Sequence, residues 1–294
     1  MTAPATARRR TLAAYLRLVR FQHTLFALPF AYAGMWLAAD GFPGWATFGW
    51  VTLAMAGART FAMAVNRVLD ARIDAANPRT ASREIPSGLL SAADGWLLAA
   101  VGLIAFVTAG LALNPLTAAL LPVAAVFLAV YPLVKRVSWW CHAWLGVTIG
   151  AAAAGGWIAV SGAFAPPAWW LWLGVGAWIG GFDVVYAMLD RRFDQAHGVH
   201  SVPARFGDRA AARIAVGAHL VAVTALVLLA PAAGLGGTYL AAVAVVAAVL
   251  GIQHAWVARH GPAAALRAFD ANLVIGLVVL AGVIVDHAVR GAGG

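Results

Sequence analysis

The chain has 294 residues, of which 63% are hydrophobic and only 11% are charged, and its mean hydropathy is +0.84. This composition excludes a soluble globular domain and is typical of a polytopic membrane protein. The 20 Lys and Arg residues exceed the 11 Asp and Glu residues, but in such a chain a basic excess indicates which loops face the cytoplasm and anionic lipid, so nucleic acid is not expected as a partner.

The first 20 residues are basic and precede the first long apolar run. Apolar side chains between Leu12 and Val19 recur at helical spacing, opposite Arg17 and Arg20. No apolar core or small-residue cleavage site directly follows the basic residues. We therefore predict a short amphipathic helix on the cytoplasmic membrane surface rather than a cleaved signal peptide.

Nine apolar runs follow, each near the roughly 20 residues that a helix needs to cross a bilayer. They cover residues 22–39, 45–66, 90–111, 114–134, 139–162, 167–189, 210–230, 235–257 and 268–289. The sequence therefore predicts an all-α polytopic membrane protein, in which residues 1–294 form a single domain with nine transmembrane helices.

The charged residues in the connections predict how these helices are oriented. Lys and Arg occur before the first run and around the connections after the second, fourth, sixth and eighth runs. The other connections contain no Lys or Arg, and only Arg290 follows the ninth run. By the positive-inside rule, the N-terminus is cytoplasmic and the C-terminus is outside, in the inner (cytoplasmic) membrane of the cell.

Two of the predicted cytoplasmic connections begin with the same acidic pattern, "NRVLDARID" at residues 66–74 and "YAMLDRRFD" at residues 186–194. Each stretch ends an even-numbered helix and is followed by a Pro-containing turn, and the two acidic pairs are offset by 120 residues. This indicates an internal repeat, which would bring both helix ends around one central cavity that opens to the cytoplasmic side. The acids of the two pairs are Asp70 and Asp74, then Asp190 and Asp194.

The four-residue spacing within each pair places both carboxylates on one face of a helix, about 6 Å apart along its axis. Mg²⁺ is typically bound by one or two carboxylates together with phosphate oxygens of a substrate, so two facing pairs could hold a diphosphate through metal ions. Asn66, one turn before Asp70, could add an amide oxygen or a hydrogen bond. Cations around the pairs suit a leaving diphosphate, and they are Arg67, Arg72, Lys135, Arg136, Arg191 and Arg192.

Three other interpretations of the acidic stretches fit the sequence less well. A single acidic pair at a helix end is commonly a solvated face with local Arg partners, but its recurrence at matched ends argues against that reading. A secondary transporter coupled to cations or protons also uses intramembrane acids, but near the midplane of broken helices. A CDP-alcohol phosphotransferase would require a compact D-x-x-D-G-x-x-A-R array, which the sequence lacks.

Two further charged residues are predicted to lie deeper in the membrane than the acidic pairs. Arg59 precedes the first stretch by seven residues, about 10 Å along a helix, and Asp183 has the matching place before Asp190. One hypothesis is that these two side chains form a buried ion pair. The other is that Arg59 and Asp183, with Arg20 and His23 near the first helix, bind an aromatic acid through its carboxylate.

The two acidic stretches, with "YPLVKR" between them, resemble the motifs of the UbiA superfamily of intramembrane aromatic prenyltransferases, and the resemblance covers most of the chain. It implies that Asp70, Asp74, Asp190 and Asp194 bind Mg²⁺, or Mn²⁺ in its place. It also implies that the diphosphate of a polyprenyl donor is bound beside Asn66. By the resemblance, Lys135 and Arg136 help to hold that diphosphate, and Arg67 and Arg191 are the further cations predicted to bind it.

Within that superfamily, "FQHTLFALPFAYAG", "GARTFAMAVNR", "NPRTASREIPSG" and "HGVHSVPARFG" resemble the branch of 4-hydroxybenzoate polyprenyltransferases, which includes the prenyltransferase of the futalosine route to menaquinone. The resemblance implies transfer of a polyprenyl group to 4-hydroxybenzoate or 1,4-dihydroxy-6-naphthoate in ubiquinone or menaquinone biosynthesis. A different acceptor stays open, because Arg67 stands where many ubiquinone-pathway members have Asp. Asn66, Asp70 and Asp190 are the predicted catalytic residues, and Asp190 or the released diphosphate would take the ring proton.

Overall fold

The computed structural model describes residues 11–19 and 24–292, and all regular structure in these ranges is helical. Two 3-10 turns, Met188–Asp190 and Gly261–Ala264, interrupt the long helices near their ends. In chain order the α-helices are α1 (Leu12–Leu18), α2 (Thr24–Ala39), α3 (Trp45–Leu69), α4 (Ala71–Ala76), α5 (Ala92–Leu113), α6 (Pro115–Val134), α7 (Cys141–Ser161), α8 (Pro166–Ala187), α9 (Arg191–His197), α10 (Val202–Ala232), α11 (Gly237–His260) and α12 (Ala265–Ala292).

Nine of the helices in the described ranges correspond to the nine predicted crossings, which confirms the all-α polytopic fold. Eight candidate spans in these ranges are long and apolar enough to cross a membrane, judged by length and composition. The remaining helix, α2, has 16 residues. The short amphipathic helix predicted near the N-terminus corresponds to α1, and the rest of the predicted basic segment lies outside the described residues.

The helix boundaries coincide with residues that satisfy unpaired backbone groups. Ser91 and Asp94 form a capping box at the start of α5. Asn114 accepts a hydrogen bond from the backbone N–H of Thr117 at 2.9 Å at the start of α6, and Gly162, with φ of 64°, ends α7 in the left-handed conformation. These residue types are those that helix ends select.

Close approach between helices depends on glycine at the crossing points. A Cβ atom on Gly57 of α3 would lie 2.8 Å from the carbonyl oxygen of Gly102 on α5. A Cβ atom on Gly156 of α7 would lie 2.0 Å from the carbonyl oxygen of Ala31 on α2. Because both distances are too short for a side chain, small residues set how closely these membrane helices pack.

Buried polar side chains connect α8 to the three last helices. Nδ1 of His219 lies 2.8 Å from Nε2 of His254, and Nε1 of Trp178 donates to Oδ1 of Asn272 at 2.9 Å. Gln253 donates to the same oxygen at 3.3 Å. Since polar groups inside a membrane protein need partners, this network joins α8, α10, α11 and α12, and it helps to fix α8, which leads into the second acidic stretch.

The two acidic stretches lie at one end of the helix bundle, as the repeat predicts. Arg79, which follows the first stretch, contacts Asp190 in the second. The short helix α1 packs at this end also, because Nε of Arg67 donates to the carbonyl oxygen of Leu18 at 3.3 Å. At the opposite end, Asp286 accepts hydrogen bonds from the backbone at the start of α11. The central cavity predicted for the fold therefore lies between the ends of α3 and α8.

Candidate functional site

A polar cavity of about 310 Å³ lies where the ends of α3 and α8 meet. It is lined by side chains from both acidic stretches and from the connection between α6 and α7. The predicted site residues that line it are Arg59, Asn66, Arg67, Asp70, Asp74, Lys135, Asp183, Asp190 and Asp194. The structure thus brings together in one cavity most of the residues that the sequence singled out.

The backbone changes direction at the first carboxylate of each acidic stretch. Asp70 has φ −88° and ψ 0° between α3 and α4, and Asp190 has φ −102° and ψ 2° between a 3-10 turn and α9. Each pair therefore spans a helix boundary, with its first acid at the N-cap and its second acid inside the helix that follows. The sparsely populated conformation of these two residues is common for active-site residues, and its recurrence shows that the repeat extends to backbone geometry.

Asp70 is 1% exposed and is surrounded by cations from the connection after α6. Nζ of Lys135 donates to its Oδ2, and Nη2 of Arg136 lies 3.5 Å from its Oδ1. That Oδ1 atom is buried and has no hydrogen-bond partner in the described part of the chain. The ion pair with Arg136 leaves this buried oxygen without a hydrogen bond, which is costly, so it is a position at which a ligand could bind.

Asp74, the second acid of the first stretch, has its partners mainly within its own connection. Nη1 of Arg83 lies 2.7 Å from both carboxylate oxygens. Nη1 of Arg67 lies 3.9 Å from Oδ2. The carboxylate also belongs to a folded turn, because Thr80 donates to the backbone carbonyl of Asp74 at 2.9 Å. These contacts anchor the connection that follows α4.

Asp190 is neutralised by a residue from the first connection, more than 100 residues away in sequence. Nε of Arg79 donates to its Oδ1 at 2.8 Å, Nη2 donates to its Oδ2, and Nδ2 of Asn77 donates to Oδ1 at 3.0 Å. Burial by itself would lower the pKa of Arg79, but the bonds to Asp190 and Tyr186 outweigh burial and raise that pKa above its ordinary value. Arg79 therefore stays protonated.

Asp194 is buried, and its partner is a neutral residue in the turn that follows. Oγ of Ser201 donates to its Oδ2 at 2.8 Å. Ser201 also caps α10, because its Oγ accepts from the backbone N–H of Ala204 at 3.3 Å. The position of Asp194 is therefore tied to the start of α10.

The deeper pair of charged residues also lies beside this cavity. Arg59 and Asp183 both line it. The Oδ2 atom of Asp183 lies 2.7 Å from Nδ1 of His142. His142 is therefore a partner of Asp183 that the ion-pair hypothesis did not include. The side chain of Asp183 is 30% exposed. Both charged groups therefore line the same cavity, as the second hypothesis requires.

Four predicted residues differ in placement from the rest. Arg136 does not line the cavity, and its Nη2 atom donates to the backbone carbonyl of Leu69. Arg191 does not line the cavity, and its Nη1 atom pairs with Oδ2 of Asp208 at 3.1 Å. The physical reason is that α9 begins at Arg191 after the backbone turns at Asp190, which directs its side chain toward α10. Arg20 and His23 lie outside the described residues.

Sequence reasoning missed several residues that line the cavity. Arg79 and Arg83 hold two of the four carboxylates, and His142 and Tyr186 line the same cavity. A signal for the two arginines was present, because both stand in "NPRTASREIPSG", a polar segment directly after the first acidic stretch. His142 had no such signal, since it lies inside an aromatic and apolar segment.

The donor atoms around the cavity fit a hard divalent cation in composition. Carboxylate and amide oxygens are the ligands that Mg²⁺ prefers, and Asp70, Asp190 and Asn66 supply them. In the described part of the chain, no group of three or more His, Cys, Asp or Glu side chains is arranged to hold a metal ion. The buried Oδ1 of Asp70 is the atom that fits a metal best, because no hydrogen bond occupies it among the described residues.

A second, apolar cavity of about 290 Å³ has lining residues that neighbour those of the polar one in sequence. Ala58 lines it directly beside Arg59 of the polar cavity, and Leu128 lines it one turn from Tyr131. Most of its wall consists of Ala, Leu, Val and Phe side chains from α3, α5, α6 and α7. A ligand with a charged head and an apolar tail therefore matches the two cavities together.

Comparisons with known proteins agree with this arrangement. A model of the UbiA prenyltransferase family matches residues 27–277. The chain is 30% identical to a 4-hydroxybenzoate octaprenyltransferase of Saccharophagus degradans, over 97% of this chain and 96% of that protein. It is 35% identical to a protein of the same name from Paracidovorax citrulli, with 95% of each chain covered.

Solved structures show the same fold. A UbiA homologue from Aeropyrum pernix, in its apo form, superposes with a TM-score of 0.83 and 32% identity, over 90% of this chain and 98% of that chain. A UbiA homologue from Archaeoglobus fulgidus, solved with DMAPP and Mg²⁺, superposes with a TM-score of 0.69 and 17% identity, over 92% of this chain and 98% of that chain.

Proposed function

The chain belongs to the UbiA prenyltransferase family, and we propose that it transfers a polyprenyl group from a polyprenyl diphosphate to an aromatic acid. The observation that carries the proposal is the polar cavity, in which the first carboxylates of both acidic stretches lie beside cations and next to an apolar cavity. The names of the two curated relatives favour 4-hydroxybenzoate as the acceptor, with 1,4-dihydroxy-6-naphthoate as the second candidate.

The diphosphate of the donor would bind in the polar cavity, and its isoprenoid chain would extend into the apolar one. Asp70 and Asp190 would hold Mg²⁺, with Asn66 beside them, and Mg²⁺ when bound would neutralise the diphosphate as its bond to the allylic carbon breaks. Lys135 and Arg79 would then contact the diphosphate instead of the carboxylates. Burial of the chain contributes about 0.8 kcal/mol for each methylene group.

Asp74 and Asp194 complete the proposed metal site in a supporting position. Each carboxylate belongs to the same stretch as a proposed metal ligand, and each is held by neighbouring residues. Arg136 would assist Lys135, since its Nη2 atom also approaches Asp70. Arg67, which is 4% exposed beside Asp74, adds positive charge at the bottom of the cavity. Arg191 would not contact the diphosphate, because its guanidinium pairs with Asp208.

The aromatic acceptor would bind deeper, between Arg59 and Asp183. Arg59 would bind its carboxylate, because a guanidinium matches the planar shape and charge of that group. The cavity walls keep water from the allylic cation, which aromatic faces such as that of Tyr131 stabilise. The proton lost from the ring would pass to Asp190 or to the released diphosphate, and both are kept as candidates.

The positions of the acids favour this function over a secondary transporter. Asp70 and Asp190 lie where long helices end, whereas coupling acids of transporters lie near the midplane of broken helices. The chain is a multi-pass membrane protein, and we propose that it lies in the inner membrane with the polar cavity open to the cytoplasm. Single cysteines at Ala81 and Ala196, in a Cys141→Ala background, should then react with impermeant reagents only after the cells are opened.

The experiment that tests the proposal is a transfer assay with purified protein in liposomes and farnesyl or longer prenyl diphosphates. The acceptors are 4-hydroxybenzoate, 1,4-dihydroxy-6-naphthoate, homogentisate and a neutral phenol. We expect transfer to one of the first two acids, loss of transfer after chelation and recovery with Mg²⁺ or Mn²⁺. Arg59→Ala should raise the KM of the acceptor more than that of the donor. Preference for the neutral phenol would contradict the proposal.

A further inference from the structure

His142 lies between the proposed acceptor site and the second acidic stretch. It is the second residue of α7, its side chain is 6% exposed, and its ring contacts two other helices. Nδ1 lies 2.7 Å from Oδ2 of Asp183 on α8. The backbone N–H of Val202, the first residue of α10, donates to Nε2 at 3.2 Å. One imidazole ring therefore joins α7, α8 and α10.

These two contacts determine which ring nitrogen carries the proton. The backbone N–H of Val202 can only donate, so Nε2 of His142 must accept and has no proton of its own. In a neutral imidazole the proton is then on Nδ1, which donates to the carboxylate of Asp183. This bond fixes the orientation of the carboxylate and leaves its other oxygen able to accept a hydrogen bond.

The same ring also couples Asp183 to the second acidic stretch. Val202 follows Ser201, whose hydroxyl donates to Asp194 at 2.8 Å. His142 therefore contacts Asp183 through one nitrogen and the segment that holds Asp194 through the other. A side chain with this position can align the acceptor site with the donor site.

The chemistry of the acceptor determines which of its groups faces Asp183. A carboxylate repels another carboxylate, so the acid group of the acceptor would face Arg59 and its ring hydroxyl would face Asp183. A hydrogen bond from that hydroxyl to an anionic oxygen is stronger than one between neutral groups. It also increases the electron density of the ring, which favours attack on an allylic cation.

We propose that His142 is a positioning residue, which orients the carboxylate of Asp183 to accept a hydrogen bond from the ring hydroxyl of the aromatic acceptor. The inference rests on the proposed function and deepens it, because it makes the hydroxyl group a determinant of acceptor recognition. A site built to pair with a hydroxyl discriminates strongly against analogues that lack it, since the polar group of the protein is otherwise left unpaired.

The test measures binding of 4-hydroxybenzoate and of benzoate to the purified protein in nanodiscs, without any prenyl donor. The wild type should bind 4-hydroxybenzoate about tenfold more tightly than benzoate, which is the effect of about 1.4 kcal/mol. His142→Leu should reduce this ratio to about one, because the carboxylate of Asp183 is no longer oriented. His142→Gln should retain most of the ratio, since its amide has a donor and an acceptor at a similar reach.

A second variant keeps the test decisive if His142→Leu does not fold. In Asp183→Ala, no side-chain oxygen remains to accept from the ring hydroxyl, so the preference for the hydroxyl should also be lost. His260→Leu, at the exposed end of α11, is the matched control and should behave as the wild type. Size-exclusion profiles and melting temperatures establish which variants are folded.

The possible results separate the inference from the proposed function. An unchanged ratio in a folded His142→Leu or Asp183→Ala protein overturns the inference, even if prenyl transfer to the acid occurs. A wild type that has no preference for the hydroxyl overturns it as well. A wild type that binds the acid with the expected preference but transfers no prenyl group to any acid contradicts the proposed function, not the role of His142 in binding.

Discussion

The first and second carboxylates of the two acidic stretches have different kinds of partner. Asp70 and Asp190 contact cations from distant parts of the chain, Lys135 and Arg79. Asp74 and Asp194 are held within ten residues of their own positions, by Arg83 and Ser201. All four acids line the cavity, but the partners of the first acids come from distant parts of the chain, whereas the hydrogen-bond partners of the second acids come from their own connections. We therefore expect the first acids to act mainly on the substrate and the second acids mainly on the stability of the connections.

The largest expected effect is loss of activity when a first acid is changed. Asp70→Asn or Asp190→Asn should lower kcat/KM for prenyl transfer by about 100-fold to 1000-fold, the range found when a single electrostatic contact to a reacting group is removed. The variants should stay folded, because the amide oxygen of an asparagine can still accept a hydrogen bond from Lys135 or Arg79. Transfer assays with saturating Mg²⁺, together with thermal unfolding, measure both quantities.

Full activity in both Asn variants would show that the first acids do not contact the donor or its metal ion. Loss of folded protein would contradict the comparison in another way, since it would make the first acids structural. Asp208→Asn is the control, because Asp208 is paired with an arginine at the same end of the bundle but does not line the cavity.

The second acids should instead affect local stability. Asp74→Asn removes a carboxylate that binds Arg83 through both oxygens, and we expect a loss of about 2 kcal/mol in the free energy of opening of the connection between α4 and α5. Limited proteolysis at residues 77–90 should then be about thirty-fold faster. Glu84→Gln in the same connection is the control, because its partner Arg17 is exposed and such pairs contribute little.

Equal rates of proteolysis in Asp74→Asn and Glu84→Gln would show that Asp74 does not stabilise this connection more than an exposed ion pair does. A thirty-fold increase in proteolysis with unchanged activity would support the difference between the two acids. Asp70 would then act in catalysis, and Asp74 would stabilise the connection.

The next prediction concerns Arg79, the cation that pairs with Asp190. Arg79→Ala should raise the KM of the prenyl diphosphate about tenfold, equivalent to about 1.4 kcal/mol, if Arg79 leaves the carboxylate to bind the diphosphate. The KM of the acceptor should stay the same. Arg72→Ala is the matched control, because Arg72 lies in the same connection but does not line the cavity. Equal effects of the two variants would show that only the total charge matters.

The sequence was sufficient for the features that depend on local patterns. The long apolar runs predicted the helices, because hydrophobic length is a property of each segment alone. The four acids were found because the same spacing occurs twice. The pairing of Arg79 with Asp190 could not be predicted, since it joins positions 111 residues apart and depends on how the helices pack.

The sequence does not show the helix boundary at Asp70 or the partner of Arg191. Nothing in "VLDARID" breaks a helix by itself, so the helix boundary at Asp70 appears only in the folded bundle. The sequence places Arg191 among the cations around the acidic pairs. In the folded chain, Asp190 lines the cavity, whereas the next residue, Arg191, pairs with Asp208.

The smallest expected effect concerns Ser201, which has two roles in one hydroxyl group. Ser201→Ala removes the cap of α10 and the hydrogen bond to Asp194. Ser91→Ala removes a comparable cap from α5, at the first connection, where the partner is Asp94 and not an acid of either stretch. Loss of such a cap typically costs about 1 kcal/mol, so both variants should have similarly lowered melting temperatures.

Only Ser201→Ala should also change catalysis, because only this variant frees a carboxylate beside the cavity. We expect a decrease of about threefold to fivefold in kcat/KM, since a single neutral hydrogen bond contributes roughly 1 kcal/mol, while Ser91→Ala keeps the rate of the wild type at a temperature where both are folded. If the two variants lose the same activity, Ser201 acts only through the stability of α10. If neither variant loses activity, Asp194 does not need the hydrogen bond from Ser201. The difference between first and second acids would then hold for the first stretch alone.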